Sequence, residues 1–200
     1  KDGFDIVLTN PPFGAKITNT STLSKFDLGH KWSNYDKEYH KTKVVYPNQN
    51  AEILFIERCI QLLKGGGRMA IVLPNGNFEN PSLEYMRYYI KLKAKILAIV
   101  NLPQETFIPF GTGVKTSLLF LEKDTPNIDK QYPIFFGRVT KLGYQGNKNG
   151  TPLYQKNKYG QTLKDSSGQP ILEEDFSEIV EEYKKFQNGI VIESDNAFSI

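Results

Sequence analysis

A chain of 200 residues, 39% hydrophobic and 24% charged, has the apolar content to bury a core and lacks the bias of a disordered or fibrous protein. One cysteine, Cys59, excludes an intramolecular disulfide, and no apolar run approaches the ~20 residues of a membrane span. The net charge of +3 is too small to name a nucleic-acid partner by itself, and without a signal peptide a cytoplasmic protein is expected.

The first predicted strand, FDIVLT at residues 4 to 9, runs straight into Asn10, Pro11, Pro12 and Phe13. Proline cannot donate to a ladder and Asn starts turns, so strand-end punctuation is the plainest reading. Average residue usage, however, gives this four-residue combination only about one occurrence per hundred thousand positions. The two prolines lack N–H groups and have fixed φ, which leaves a rigid corner of acceptors. The Asn10 side-chain oxygen and the Pro11 carbonyl can face the same way there, suiting an amino group with two hydrogens to donate. Phe13 offers a flat face to a base taken out of its stack.

Residues 15 to 48 read as a long basic loop. Lys16, Lys25, Lys31, Lys37, Lys41 and Lys43 stand against Asp27, Asp36 and Glu38, so this segment carries the whole net charge. Phe26, Trp32, Tyr35, Tyr39 and Tyr46 interleave with the cations, a composition suited to phosphates and unstacked bases. The position after Phe13 suggests a lid; a solvated, partly mobile loop is the competing reading.

Further along, QNAEILFIERCIQLLK (49 to 64) predicts a helix with Ile53, Ile56, Ile60 and Leu63 at helical spacing and Cys59 as a buried thiol. The glycines at 65 to 67 are expected to cap it. GGGRMA formally matches a dinucleotide fingerprint, but it follows a helix and enters a strand, the reverse of that context. A strand at 68 to 73 ends at Pro74, and Asn80-Pro81 starts a helix that runs to about Leu92. Further strands are expected at 95 to 102, 114 to 122 and 132 to 139, an α/β pattern with a mainly parallel sheet. GTGVKT (111 to 116) lacks the adjacent Gly-Lys-Thr of a phosphate loop, and His30 and His40 lack companions at ligand spacing, so no metal site is expected. Residues 140 to 172, rich in Gly, Asn, Gln and Lys, read as loops or a small hairpin without internal repeat. A helix with acids early and lysines late follows at about 173 to 186, and IVIESDNAFSI reads as the opening of a further segment.

The NPPF strand end resembles the catalytic motif of S-adenosylmethionine-dependent amino-methyltransferases, specifically the adenine-N6 DNA methyltransferases. LLKGGGRMAIVLPNGNF and AKILAIVNLPQETFIPFGTGVKTSLLFLEK are similar, in order and spacing, to segments that follow this motif in modification subunits of type I restriction-modification systems. The likeness covers about 1 to 123. It implies an α/β fold, the latter half of a Rossmann-like methyltransferase sheet, with a partial catalytic domain over 1–139 and a loop-rich and helical extension over 140–200.

The resemblance also implies roles. A flipped adenine would stack on Phe13, its amine donating to Asn10 and the Pro11 carbonyl, with Pro12 completing the motif. Phe107, with Phe110 as second choice, would flank the base, and Lys16, Lys25 and Lys31 would contact DNA. A specificity subunit and a restriction subunit are the implied partners. The family holds S-adenosylmethionine mainly on a glycine loop and an acidic residue ahead of the motif, and only nine residues precede Asn10. The main cofactor pocket is therefore expected upstream, with Asn10 touching the cofactor's methionine end, one edge of FDIVLT exposed or covered by another copy, and the chain inactive by itself. Alternatives are an NPPY-type methyltransferase acting on protein glutamine or RNA, and a non-catalytic binding or assembly module of the same fold.

Overall fold

The computed structural model describes residues 3–36, 38–124 and 131–200; Lys37, counted above among the cations, lies outside them. The chain divides into two compact units, Lys1–Ala98 with Leu118–Tyr132, and Ile99–Ser117 with Pro133–Ile200.

The first unit runs β1 (Phe4–Thr9), β2 (Lys16–Ile17), α1 (Thr20–Leu23), β3 (His30–Tyr35), β4 (Glu38–Val45), β5 (Gln49–Asn50), α2 (Ala51–Leu62), β6 (Leu63–Pro74), α3 (Gly76–Glu79) and α4 (Glu84–Lys93). β7 (Ala94–Asn101) leaves it and β8 (Thr116–Lys123) returns. Its strand order is β1-β6-β8-β7, with β1 parallel to β6. β1 is the end strand of this order among the described residues, and Phe4, Ile6 and Leu8 are exposed on one face. α2 forms because Ile53, Ile56 and Ile60 recur at helical spacing, and all three are buried.

The glycine cluster does not cap α2. Leu63 already leaves the helix in an extended conformation. The pairing with β1 jumps from Phe4↔Leu63 to Ile6↔Arg68, so residues 64–67 form an excursion from the ladder. At Gly67 an added Cβ would lie 2.8 Å from the Phe4 carbonyl oxygen and 3.0 Å from that of Lys64. Glycine is needed here because backbone approaches backbone, not because a helix ends.

Residues 15 to 48 are not a loop. β3 and β4 form an antiparallel hairpin with Trp32 opposite Lys41 and Asn34 opposite Tyr39. Its aromatic side chains pack inward on α4: Trp32 lies 6.4 Å from Tyr85 and 6.2 Å from Tyr89, and Tyr39 lies 5.7 Å from Tyr88. The Tyr39 hydroxyl donates to Glu84 at 2.8 Å. Tyr46 contacts Tyr85, and Phe26 is buried beneath the Arg58 guanidinium. Of the rings proposed for base contact, Tyr35 at the hairpin tip is the one left widely exposed.

Glu57 of α2 anchors the hairpin's root. Its buried carboxylate accepts the Asp27 and Leu28 amides at 2.9 and 2.8 Å and the Gln61 side chain at 2.8 Å. Burial pushes this carboxyl up from its usual pKa, against the pull of the two amides.

In the second unit, β9 (Phe135–Arg138) pairs antiparallel with β10 (Ala197–Ser199), so the tail read as the opening of a further segment folds back as a strand. α5 (Phe176–Gln187) covers the buried Phe135, whose ring lies 5.3 Å from Tyr183. Among the described residues no helix is long and apolar enough to cross a membrane.

Residues 141–174 do contain a repeat. Three turns, Asn147 to Gly150, Asn157 to Gly160 and Asp165 to Gly168, share one plan: the first side chain accepts from the backbone amide two residues on, and the glycine takes positive φ. The Leu153, Glu173 and Gly143 amides donate in turn to the Gly143, Leu153 and Glu173 carbonyls, closing a ring of backbone hydrogen bonds. Gln155, Leu163 and Ile171 close a second ring in the same way. The uneven spacing of the turns, ten residues and then eight, gives the sequence no fixed period.

Gly67→Ala is expected to destabilise the first unit by about 2 kcal/mol, because the new methyl overlaps backbone that cannot yield. Gly65→Ala, with no atom within 4 Å of its added Cβ, should stay within about 0.5 kcal/mol of the parent. Urea unfolding of the two variants checks both.

Candidate active site

β1 and β6 lie parallel and in register up to Thr9↔Ile71, so both deliver their next residues at one end of the sheet, the carboxyl end where ligands of open α/β sheets bind. β1 continues into Asn10-Pro11-Pro12-Phe13 and β6 ends on Pro74 before Asn75. Prolines end each run because they supply no donor to the ladder. In the corner Pro11 is buried, Phe13 is half-buried, and Asn10 and Pro12 are exposed. The Asn10 side-chain amide has no hydrogen-bond partner among the described residues.

The residues after the corner are tied down. The Ala51 amide donates to the Ala15 carbonyl at 2.7 Å, and β2 pairs with β5 through Lys16↔Asn50 and Ile17↔Gln49. The corner is thus held between β1 and the first turn of α2.

The three lysines fall on different elements. Lys16, on β2, donates to the Asn48 side chain at 3.2 Å, Lys25 follows α1, and Lys31 is exposed on β3. Phe107 belongs to the second unit, within the 3-10 turn Gln104–Phe110. Its ring lies 6.4 Å from that of Phe110, which is 76% exposed against the half-buried Phe107. The Thr112 amide donates to the Phe107 carbonyl at 3.1 Å, and Gly111 closes the turn in the left-handed region.

Two buried polar groups escaped the sequence reading. Glu52, in the first turn of α2, is 3% exposed and its Oε2 has no partner; Asn77, just after β6, is 4% exposed with an unpartnered Oδ1. Its Nδ2 donates to the Pro74 carbonyl at 3.1 Å. Buried polar atoms without partners are rare in native folds and concentrate where function retains them. A charged residue in the first turn of α2, beside the apolar run Ile53 to Ile56, was the available signal for Glu52. Among the described residues no cluster of His, Cys, Asp and Glu could hold a metal ion.

Residues 1–197 match the family described as N-6 DNA Methylase. The chain belongs to this family. It is 33% identical over 130 residues to the methylase subunit of type I restriction enzyme StySPI from Salmonella potsdam, covering 63% of this chain and 21% of that protein. It is also 33% identical over 129 residues to the EcoKI methylase subunit of Escherichia coli strain K12, covering 62% and 20%. The chain thus spans about a fifth of the length of these relatives.

Among solved structures, a modification subunit attributed to a type I restriction enzyme of Vibrio vulnificus YJ016 superposes on the whole chain with a TM-score of 0.58 at 19% identity, using 34% of its own length. A class I S-adenosylmethionine-dependent methyltransferase from Listeria monocytogenes covers 69% of the chain and 37% of itself, with a TM-score of 0.50 at 22% identity. These likenesses establish the fold as the α/β, Rossmann-like sheet of methyltransferases.

Glu52 lends itself to a stability test. An orphaned buried carboxylate oxygen costs about 1–3 kcal/mol, more than the ~0.3–1 kcal/mol that a negative charge gains at a helix N-terminus. Glu52→Met, which removes the orphaned oxygen at similar volume, is therefore expected to raise stability by about 1 kcal/mol in urea unfolding; a lower midpoint would show that the carboxylate is satisfied.

Proposed function

We propose that this chain carries the base-receiving side of an adenine-specific DNA N6-methyltransferase, which moves a methyl group from S-adenosylmethionine to a flipped adenine as part of a restriction-modification system. The supporting observation is the corner itself: a proline-stiffened turn at the carboxyl end of β1, with the Asn10 side-chain amide exposed and unpartnered among the described residues, followed by the half-buried Phe13.

In this reading the adenine stacks on Phe13 and its N6 hydrogens donate to Asn10 Oδ1 and the Pro11 carbonyl. The amine lone pair is delocalised into the ring. Two acceptors on its hydrogens draw nitrogen toward sp³ and stabilise the positive charge that develops there. Pro12 restricts Pro11 to an extended conformation, so the carbonyl stays aimed without reorganisation. No strong general base is required. S-adenosylmethionine supplies the electrophilic methyl group. Asn10 is the residue here that would touch it, through amide donors that no other described group engages.

Phe107 is assigned the second face of the base, and Lys16, Lys25 and Lys31 contact phosphates. DNA, a specificity subunit and a restriction subunit are the proposed partners, and the cytoplasm the proposed compartment. Transfer of labelled methyl to DNA, but not to RNA or protein, by the parent protein is the expected result; label on a protein glutamine would reassign the substrate.

Asn10→Ala in the parent protein should lower the methylation rate by roughly 10²-fold, about 3 kcal/mol, with DNA affinity little changed. Unchanged turnover would remove Asn10 from the chemistry. Phe13→Ala should weaken capture of the flipped base by about 1–3 kcal/mol, while Phe13→Trp is tolerated. With 2-aminopurine at the target position, an unaltered unstacked-base signal in the alanine variant would make Phe13 a packing residue.

A further inference from the structure

Residues 141–174 contain Lys141, Lys148, Lys156, Lys158 and Lys164 against Asp165, Glu173 and Glu174, and Glu174 accepts the Ser177 amide and hydroxyl at 3.1 and 2.7 Å. Lys141 is paired with Glu173 at 3.3 Å. The Asp165 carboxylate is held by its own turn, accepting from the Ser167 amide and hydroxyl and the Gln169 amide. That leaves Lys148, Lys156, Lys158 and Lys164 exposed, with no ion pair among the described residues. On α5 the same residue type behaves differently: Lys184 and Lys185 pair with Glu181 and Glu182 at 2.6 and 2.8 Å. A merely solubilising surface interleaves both signs, as α5 does; in the three-turn segment each acid is engaged, and the charges left without an ion pair among the described residues are lysines.

These cations are also held in place. Lys148 and Lys158 occupy the same position in two of the repeated turns, directly after the Asn that locks the turn, and the two backbone rings tie the turns together. Beside them Tyr159 is 75% exposed, with the Lys158 ammonium 5.0 Å from the centre of its ring. The first turn is seated on the 3-10 turn that carries Phe107. The Tyr144 hydroxyl donates to the Thr106 carbonyl at 2.6 Å, an added Cβ on Gly146 would come within 2.2 Å of the Glu105 Cβ, and one on Gly150 within 3.2 Å of Pro109.

We propose that residues 141–174 form a phosphate-gripping element for duplex DNA, holding Lys148, Lys156, Lys158 and Lys164 in fixed register to the turn that bears Phe107. The inference rests on the DNA methyltransferase reading for the choice of polyanion. A rigid array of cations contacts a backbone of regular charge with little sacrifice of conformational freedom, and each phosphate neutralised releases counterions. Tyr159 adds an aromatic surface at the edge of the array.

The test is the affinity of the chain for a fluorescent non-specific duplex over a series of salt concentrations. The variant combining Lys148→Ala, Lys156→Ala, Lys158→Ala and Lys164→Ala should show a log–log slope shallower by about 0.9 for each phosphate that is no longer neutralised, with an unchanged circular dichroism melt. Lys158→Glu alone should move the slope in the same direction, and the α5 pair Lys184→Ala with Lys185→Ala should leave it alone. An unaltered slope in the four-lysine variant overturns the proposal. So does an equal change in the α5 variant, or displacement of the duplex by an acidic polypeptide as readily as by unlabelled DNA. Methyl transfer is a separate readout: a slope that falls as expected, in a protein whose parent methylates no DNA, keeps this element and removes the function proposed above.

Discussion

The parallel pairing of β1 with β6 is the constraint from which the first unit follows. Two parallel strands cannot be joined by a tight turn, so everything between Thr9 and Leu63 must serve as the crossover. α2 provides its return leg, burying Ile53, Ile56 and Ile60. The same pairing brings two proline-ended strand termini to one end of the sheet, which puts the Asn10 corner where an open α/β sheet receives its ligand. Because the Ala15 carbonyl is bound by the Ala51 amide, the corner is fixed on both sides: by the ladder before it and by the start of α2 after it.

The hairpin inserted into that crossover is rooted on a buried carboxyl group. Glu57 caps the amides of Asp27 and Leu28, and from this root the strands lay Trp32 and Tyr39 across the tyrosines of α4. Burial raises the phenols of Tyr85 and Tyr89 above their ordinary pKa, so they stay neutral and act as packing surface. The lysines of the segment do not share this fate. Lys25 and Lys31 project where the rings do not, so the aromatic and basic features of one stretch separate into an inner and an outer role.

In the second unit, rigidity comes from backbone and turn chemistry more than from apolar burial. Leu153, Leu163 and Leu172 are all partly exposed, yet two rings of main-chain hydrogen bonds and three side-chain-locked turns hold the segment together. A structure fixed this way can leave much of its surface to lysine, and Lys148, Lys156, Lys158 and Lys164 have no ion pair among the described residues.

Features set by local stereochemistry were legible in the sequence: the NPPF corner, where two prolines leave the backbone little choice, the apolar spacing of α2, and the strands that carry the sheet. The match of residues 1–197 to the N-6 DNA Methylase family agrees with what those residues implied. The hairpin was not legible, because Trp32 and Tyr39 find their partners on α4, some fifty residues away, and composition alone made them look like base-contacting rings. The glycine cluster looked like a helix cap for the same reason: the atom that forbids a side chain at Gly67 is the Phe4 carbonyl, far off in sequence and adjacent in space. The repeat at 147, 157 and 165 was hidden because its turns share a hydrogen-bond role, not a residue identity or a period. Sequence by itself determined the stiffness of the corner and the helical and strand periods; only tertiary pairing decided which rings are buried, which of the described lysines lack an ion pair, and what the glycines are for, since each of those depends on a neighbour that the chain brings in from elsewhere.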